Sequence, residues 1–308
     1  MRIGIGLGLS GGQASFDDLI RDAERAETAG FASAWVSNIF GYDALTVLAF
    51  AGRATRRIEL GSFVIPTYPR HPVALAQQAL TVQSIIEGRL ALGIGLSHKI
   101  VIEDMFGLDY SKPIAHTREY LTVLNGLLAG ERTVFQGEMY RVAAQFAVPG
   151  ATKPVVLVAA LGPAMLRLCG RLADGTATWM GGLAYLRDVA VPTITTAAHR
   201  ANRPAPRILA GLPICVTDDA AGARAEAERI FATYGRLPSY RATLDRGSYA
   251  GPGDVAIVGT EAEVQSQIHA LAQAGVTDFN AAIFRAPGGS IERTYEWLSQ
   301  LAEEHAET

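Results

Sequence analysis

Residues 3–37 read IGIGLGLSGGQASFDDLIRDAERAETAGFASAWVS. The stretch opens on an apolar run at 3–9 and closes on another at 33–37. Between them Phe16, Leu19, Ile20, Ala23 and Ala26 recur at three- and four-residue spacing, which puts them on one face of a helix over 16–29. Gly30 follows where a helix ends on a left-handed residue, a conformation glycine adopts without steric cost. Strand, helix and strand in so short a stretch make a βαβ unit, and such units pair their strands in parallel.

The unit repeats along the chain. Further β-rich runs lie at 58–65, 90–95, 155–159, 176–179, 208–216 and 279–284, and further helical patterns at 72–86 and 261–274 end on Gly88 and Gly275. Eight strand-and-helix pairs in 308 residues predict an α/β fold of the TIM (β/α)8 barrel type ahead of an open doubly wound sheet. Two segments interrupt the repeat. Residues 133–142 alternate about Gln136-Gly137 and predict a hairpin inserted after the fourth helix. Residues 237–253, rich in Pro, Gly, Ser and Tyr, predict a long loop after the seventh helix. Barrel sites are built from loops at the carboxyl ends of the strands, so this loop is placed to act as a lid. No linker or low-complexity tract divides the chain, and residues 1–308 read as one domain.

The charge balance is 27 basic against 30 acidic residues, with no block of one sign. Nucleic acids and anionic membranes need a basic footprint that is missing here, so the expected partner is a small molecule. The longest apolar stretch, 154–166, is broken by Gly162 and Pro163 and falls short of the ~18 residues a membrane span needs. Arg2 with the apolar run behind it has something of a leader, but three glycines and the nearby Asp17 and Asp18 favour a buried first strand. Cys169 and Cys215 sit in apolar surroundings and form no Cys-x-x-Cys pair, as expected of reduced core thiols in a cytoplasmic protein. The six histidines show no metal-ligand spacing, and His199, His269 and His305 fall on predicted helices as surface residues.

Two glycine motifs overlap near the N-terminus, and neither finds its context. Gly6-Leu7-Gly8-Leu9-Ser10-Gly11 matches G-x-G-x-x-G, yet the second strand ends Val36-Ser37-Asn38-Ile39 without the acidic residue a dinucleotide fold places there. Gly8-Leu9-Ser10-Gly11-Gly12 matches the nucleophile elbow of hydrolases, but only one strand precedes it. A glycine-rich strand end in a crowded barrel mouth accounts for both. Two later turns, Gly93-Ile94-Gly95-Leu96-Ser97-His98 and Ala159-Ala160-Leu161-Gly162-Pro163, could offer backbone N–H groups to an anion. His98 follows the fourth strand at the carboxyl end, where barrel chemistry is placed.

Taken together, several stretches resemble the bacterial luciferase-like monooxygenase superfamily, and within it the branch that uses the deazaflavin coenzyme F420. They are Ala26-Glu27-Thr28-Ala29-Gly30-Phe31-Ala32-Ser33-Ala34-Trp35-Val36, Ala54-Thr55-Arg56-Arg57-Ile58-Glu59-Leu60-Gly61-Ser62, His71-Pro72-Val73-Ala74-Leu75-Ala76, Gly88-Arg89-Leu90-Ala91-Leu92-Gly93-Ile94-Gly95, Phe135-Gln136-Gly137-Glu138 and Ala173-Asp174-Gly175. The resemblance implies a TIM barrel, a homodimer, and a flavin or deazaflavin held in the barrel mouth. It places a bulge with a non-prolyl cis peptide at Phe63-Val64, flanked by Ser62 and Ile65, against the ring. It assigns ring and phosphate contacts to the turns Gly95-Leu96-Ser97-His98 and Ala159-Ala160-Leu161-Gly162, with Asn38 facing the same cavity. Sugar-phosphate dehydrogenases of the branch carry an acidic residue and a histidine after the second strand, where this chain has Asn38-Ile39. Ile39 cannot take a proton, so the resemblance does not extend to that route.

The implied activity is coenzyme F420-dependent hydride transfer between the deazaflavin and a small organic substrate, with the protein supplying orientation and electrostatics. An FMN-dependent monooxygenase is the alternative, and a flavin- or deazaflavin-binding protein without turnover is a third reading. His98 is the expected proton donor near the ring, with Tyr68 on the loop after the bulge as its competitor.

Overall fold

The computed structural model describes residues 1–8 and 14–306. Its strands are β1 (Arg2–Gly6), β2 (Ser33–Val36), β3 (Glu59–Ser62), β4 (Ile65–Pro66), β5 (Leu90–Gly95), β6 (Thr133–Gln136), β7 (Arg141–Ala144), β8 (Val155–Ala159), β9 (Gly175–Trp179), β10 (Arg207–Val216), β11 (Ile257–Gly259) and β12 (Asp278–Ile283). Eight of them close a ring in the order β1-β2-β3-β5-β8-β9-β10-β12 and back to β1, every pair parallel. This is a TIM barrel. Around it run α1 (Phe16–Thr28), α2 (Ala44–Ala54), α3 (Pro72–Ile85), α4 (Pro113–Leu128), α5 (Pro163–Leu172), the short α6 (Leu183–Tyr185), α7 (Val191–Arg200), α8 (Ala220–Arg236), α9 (Pro238–Arg246), α10 (Pro252–Val255), α11 (Glu261–Gln273) and α12 (Ile291–Ala306). Gly30, Gly88 and Gly275 have φ of 78°, 88° and 95°, the left-handed caps their positions predict. No helix among the described residues is long and apolar enough to cross a membrane.

Strand alternation splits the apolar residues between two cores. Outward-facing residues pack under the helices in one large cluster, while Trp35, Ala91, Leu157, Ala177 and Leu209 form a separate cluster inside the ring. Trp35 is the largest of these, and it fits because a neighbouring strand has no side chain: a Cβ at Gly61 would lie 2.1 Å from its ring. Its indole N–H donates to the Ser33 hydroxyl at 2.9 Å, so the one polar atom it brings inside is satisfied.

The amino-terminal ends of the strands are closed by charge. Arg207 donates to both carboxylate oxygens of Glu59 (3.0 and 2.8 Å) and to both of Asp278 (3.2 and 2.6 Å). Arg2 adds a contact to Asp278 at 3.1 Å. Four strands are thereby tied at the bottom of the barrel, which leaves the carboxyl ends free to build a site.

Two insertions differ from the sequence reading. The hairpin exists, but β6 and β7 pair from Thr133↔Ala144 to Gln136↔Arg141, so Gln136 lies in the strand and the turn is four residues, 137–140. Glu119 of α4 accepts from the N–H groups of Glu138, Met139 and Tyr140 and holds that turn open. Residues 237–253 are not a loop: they form α9 and α10. Arg241 ties them together, donating to Asp245 and to the carbonyls of Tyr249 and Ala250. The first strand ends at Gly6, and the Ser10-Gly11-Gly12 part of the glycine motifs lies outside the described residues.

Removing Arg207 strands two carboxylates, one of them 2% exposed, with only Arg2 to compensate. Arg207→Ala is expected to lower unfolding free energy by about 3 kcal/mol, the scale of breaking a buried ion pair. A urea unfolding midpoint equal to that of the parent chain would contradict this.

Candidate active site

At the carboxyl end of β3 the ladder to its neighbour goes out of step. β3 and β5 pair as Leu60↔Leu90 and Gly61↔Ala91, and pairing resumes on β4 as Ile65↔Ile94 and Pro66↔Gly95. Four steps from 61 to 65 face three from 91 to 94, the one extra residue of a β-bulge. Ser62 fills the break: its buried hydroxyl donates to the Gly93 carbonyl at 2.8 Å and accepts from the Gly93 N–H at 2.9 Å. A Cβ at Gly93 would sit 1.9 Å from the Ser62 carbonyl oxygen, so only glycine allows the approach.

The Phe63–Val64 peptide inside the bulge is cis. The Phe63 ring lies over the barrel axis, 6.3 Å from Trp35 and 6.3 Å from Trp179, where Gly211 leaves room for it. Val64 lies against Gly93 and Gly95, and Gly95 also meets Ala159. The bulge, the turn after β5 and the start of the turn after β8 therefore converge on one spot. Ser62 and Ile65, expected among the ring contacts, are fully buried. Ser62 braces the bulge and Ile65 packs in the outer core, so both act on its shape and neither on its exposed face.

A second brace comes from a residue that sequence reasoning passed over. His116 of α4 is buried, and its Nε2 is 2.9 Å from the Thr67 hydroxyl, just beyond β4. Its Nδ1 is 3.3 Å from the Tyr140 hydroxyl of the hairpin, and its ring stacks on Tyr68 at 3.8 Å. Burial pulls the imidazole pKa down to about 4, against a weak opposing pull from Glu119. Tyr68 in turn stacks on Tyr110, whose hydroxyl donates to the Ser97 carbonyl at 3.4 Å. The Tyr68 hydroxyl donates to the Ser111 carbonyl at 3.3 Å, and burial first, with Tyr110 and Asp109 behind it, pushes its pKa up to about 12. Tyr68 thus holds its proton tightly in a wall of rings.

His98 lies on the opposite side of the turn. Ser97 before it is left-handed (φ 62°), and its own carbonyl accepts from Val101 and Ile102, which starts a π-helical turn. The ring is half-buried and faces Tyr240 of α9, with centroids 5.7 Å apart. Burial lowers the His98 pKa from its ordinary value. Tyr240 meets Tyr234 at 5.0 Å and Tyr234 meets Trp179 at 5.8 Å, so an unbroken run of rings leads from His98 back to Phe63. His98 and Tyr68 are both near the mouth but share no contact.

The remaining candidates are spread around the rim. The Asn38 side-chain carbonyl accepts from Ala44 N–H at 3.0 Å and caps α2, while the residue is half-buried. Ala160 is buried, and Gly162 is the N-cap of α5 with no side-chain cap, ahead of Pro163. A Cβ built on Gly162 would meet open space, and the helix start carries no side-chain cap, the setting in which an anion can meet first-turn N–H groups. Leu161 is fixed through its carbonyl, which accepts from the Tyr185 hydroxyl at 2.5 Å. No group of three His, Cys, Asp or Glu side chains among the described residues could hold a metal.

Residues 2–278 match the model of the luciferase-like monooxygenase family. The chain belongs to that family. An F420-dependent glucose-6-phosphate dehydrogenase of Nakamurella multipartita is 33% identical over 162 residues, 51% of this chain and 48% of that protein. In fold, the luciferase-like chain is similar to the coenzyme F420-dependent tetrahydromethanopterin reductase of Methanopyrus kandleri, with TM-score 0.81 and 22% identity over 99% of both chains. It is also similar to the oxygenating constituent of the Pseudomonas putida 3,6-diketocamphane monooxygenase, a structure in complex with FMN, with TM-score 0.76 and 18% identity over 100% and 98% of the two chains.

The mouth of this luciferase-like barrel fits a flavin-type ring on two counts. Val64, Gly95 and Ala159 meet in one apolar contact. The Trp179 indole N–H is buried with no acceptor in hydrogen-bond geometry among the described residues, which leaves a donor for a ring carbonyl. The nearby Tyr234 hydroxyl feels that donor, which offsets part of the upward push of burial on its own pKa.

The His116 brace makes a pH test. The unfolded chain takes up a proton near pH 6.5 that the folded chain refuses until about pH 4. Stability present above pH 6.5 is therefore lost as pH falls through that window, at up to about 1.4 kcal/mol per pH unit. His116→Gln should flatten this part of the stability profile measured by urea unfolding between pH 7 and pH 4.5. Parallel profiles for the two proteins would contradict the assignment.

Proposed function

We propose that the protein is a coenzyme F420-dependent oxidoreductase that moves a hydride between the deazaflavin and a small organic molecule. The observation that carries the reading is the convergence of the bulge at Phe63 and Val64, the Gly95 turn and the Ala159 turn in one apolar contact, with the uncapped start of α5 beyond it. The family and the F420-dependent relative support it. Bound there, the deazaflavin supplies the hydride chemistry, and the residues of this chain do the rest. Val64, Gly95 and Ala159 seat the ring, Trp179 and Asn38 offer it hydrogen bonds, and the N–H groups at Gly162 and beyond take a phosphate. Tyr240 and its neighbours keep water from the face.

Hydride addition to a conjugated or carbonyl substrate leaves an anion that needs a proton. His98 is the group we assign to it, since it stands half-exposed at the rim on the turn after β5, facing Tyr240. Tyr68 is the weaker candidate because its proton is held to about pH 12 and its hydroxyl is committed to Ser111. An FMN-dependent monooxygenase remains the second reading, favoured by the likeness to the FMN-bound diketocamphane enzyme.

Fluorescence titration with oxidised coenzyme F420 and with FMN separates the two: the deazaflavin is expected to bind at least tenfold more tightly, and equal affinities would sink the first reading. In the same preparation His98→Gln should leave cofactor affinity within a few-fold and lower turnover by about 10²-fold, the usual scale of general acid catalysis.

A further inference from the structure

A cavity of about 760 Å³ opens between α8 and the carboxyl end of β12. That is the size of a small-molecule site. It is not the ring site: none of the residues at the bulge, in the Gly95 turn or in the Ala159 turn lines it. The two are nevertheless neighbours, because Phe231 in its wall meets Trp179 at 5.8 Å, and Trp179 meets Phe63.

The lining is apolar in its body and charged at one end. Ile230 and Phe231 of α8 line it with Ala282, Phe284 and Pro287, and the Phe231 and Phe284 rings meet edge to face at 6.0 Å. The charged members are Glu226, Arg229 and Arg285. Arg229 is neutralised within its own helix, donating to both Glu226 carboxylate oxygens at 2.9 and 2.6 Å. Arg285, the second residue past β12, makes no ion pair or hydrogen bond among the described residues. The carboxylate that lines the cavity with it, Glu226, is taken by Arg229. An unpaired guanidinium at the edge of an apolar chamber is a half-built site for an anion, and its geometry suits a carboxylate or phosphate in bidentate fashion.

We propose that this cavity is a binding site for an organic acid, a molecule with an apolar body and one anionic head held by Arg285, separate from the ring site. The binding of an organic anion here stands independently of the oxidoreductase reading above. Phe231 and Phe284 cover the body, and the head stays at the rim where Arg285 reaches solvent.

The test uses the full chain and a fluorescent organic anion, 1-anilinonaphthalene-8-sulfonate, beside its uncharged relative N-phenyl-1-naphthylamine. Arg285→Gln should weaken the anion by about tenfold or more and change the neutral probe less than twofold. Arg285→Lys, which keeps the charge, should recover most of the affinity. Arg200→Gln, an exposed arginine in the groove between α5 and α7, should leave both probes unchanged. Hexanoate and hexyl phosphate added as competitors should displace the anion, and whichever does so at lower concentration identifies the head group. Absence of anion binding, equal affinity in Arg285→Gln, equal loss of both probes, or no displacement by either competitor would overturn the proposal. Titration of Arg285→Gln with the deazaflavin keeps the two readings apart. Arg285-dependent anion binding in a chain that binds no deazaflavin would defeat the cofactor reading alone. Normal deazaflavin binding with Arg285-independent anion binding would defeat this one alone.

Discussion

The exchange of hydrogen bonds between Ser62 and Gly93 is the point on which the site depends. A parallel ladder cannot gain a residue on one side without orphaning backbone groups on the other, and orphaned groups in a barrel wall cost about 1–3 kcal/mol each. One buried hydroxyl meets both the N–H and the C=O of Gly93, so the extra residue is tolerated where it is placed. Phe63 is then free to turn over the barrel axis and Val64 to turn toward the next strand. Thr67 locks the far side: its N–H donates to the Gly95 carbonyl and its hydroxyl meets His116. The mouth is therefore shaped by the wall of the barrel itself, which is stiffer than any loop.

The rim above it is linked more loosely, through single hydroxyls. Tyr185 holds the Leu161 carbonyl, the neighbouring Ala184 N–H donates to the Tyr249 hydroxyl, and Arg241 joins Tyr249 to α9. Through this series the helix that carries Tyr240 over His98 is connected to the turn that opens α5. α9 and the turn that opens α5 are thus parts of one assembly standing on a fixed floor.

Much of the barrel was legible in the sequence, because its signals are local. Periods of two and three to four residues set the strands and helices, and glycines at 30, 88 and 275 took the left-handed positions they were expected to take. What escaped was non-local. Residues 58–65 read as one strand since nothing in an apolar run tells where its partner falls out of step. Residues 237–253 read as a loop because Pro238, Gly247, Gly251 and Gly253 are breakers, whereas α9 is held by Arg241 and by rings on α8 and the β5 turn. His116 gave no sign of its role, since Thr67 and Tyr140 are distant in sequence. Several residues that carried the family resemblance do structural work: Glu27 accepts from the N–H groups of Arg56, Arg57 and Ile58, Arg89 donates to the carbonyls of Gly52, Thr55 and Ile58, and Asp174 holds Val156 and Arg203. The resemblance identified the scaffold more directly than the chemistry.

The account stands on the claim that the floor of the site is already formed before any cofactor arrives. A crystal structure of the chain grown with oxidised coenzyme F420 addresses it most directly. The ring should lie on Val64, Gly95 and Ala159 with Trp179 at its edge, and the backbone from Ser62 to Thr67 should keep its course to within about 1 Å, as in preorganised sites. A ring bound away from that face, or a bulge that rebuilds around it with the Ser62 and Gly93 hydrogen bonds broken, would contradict the account.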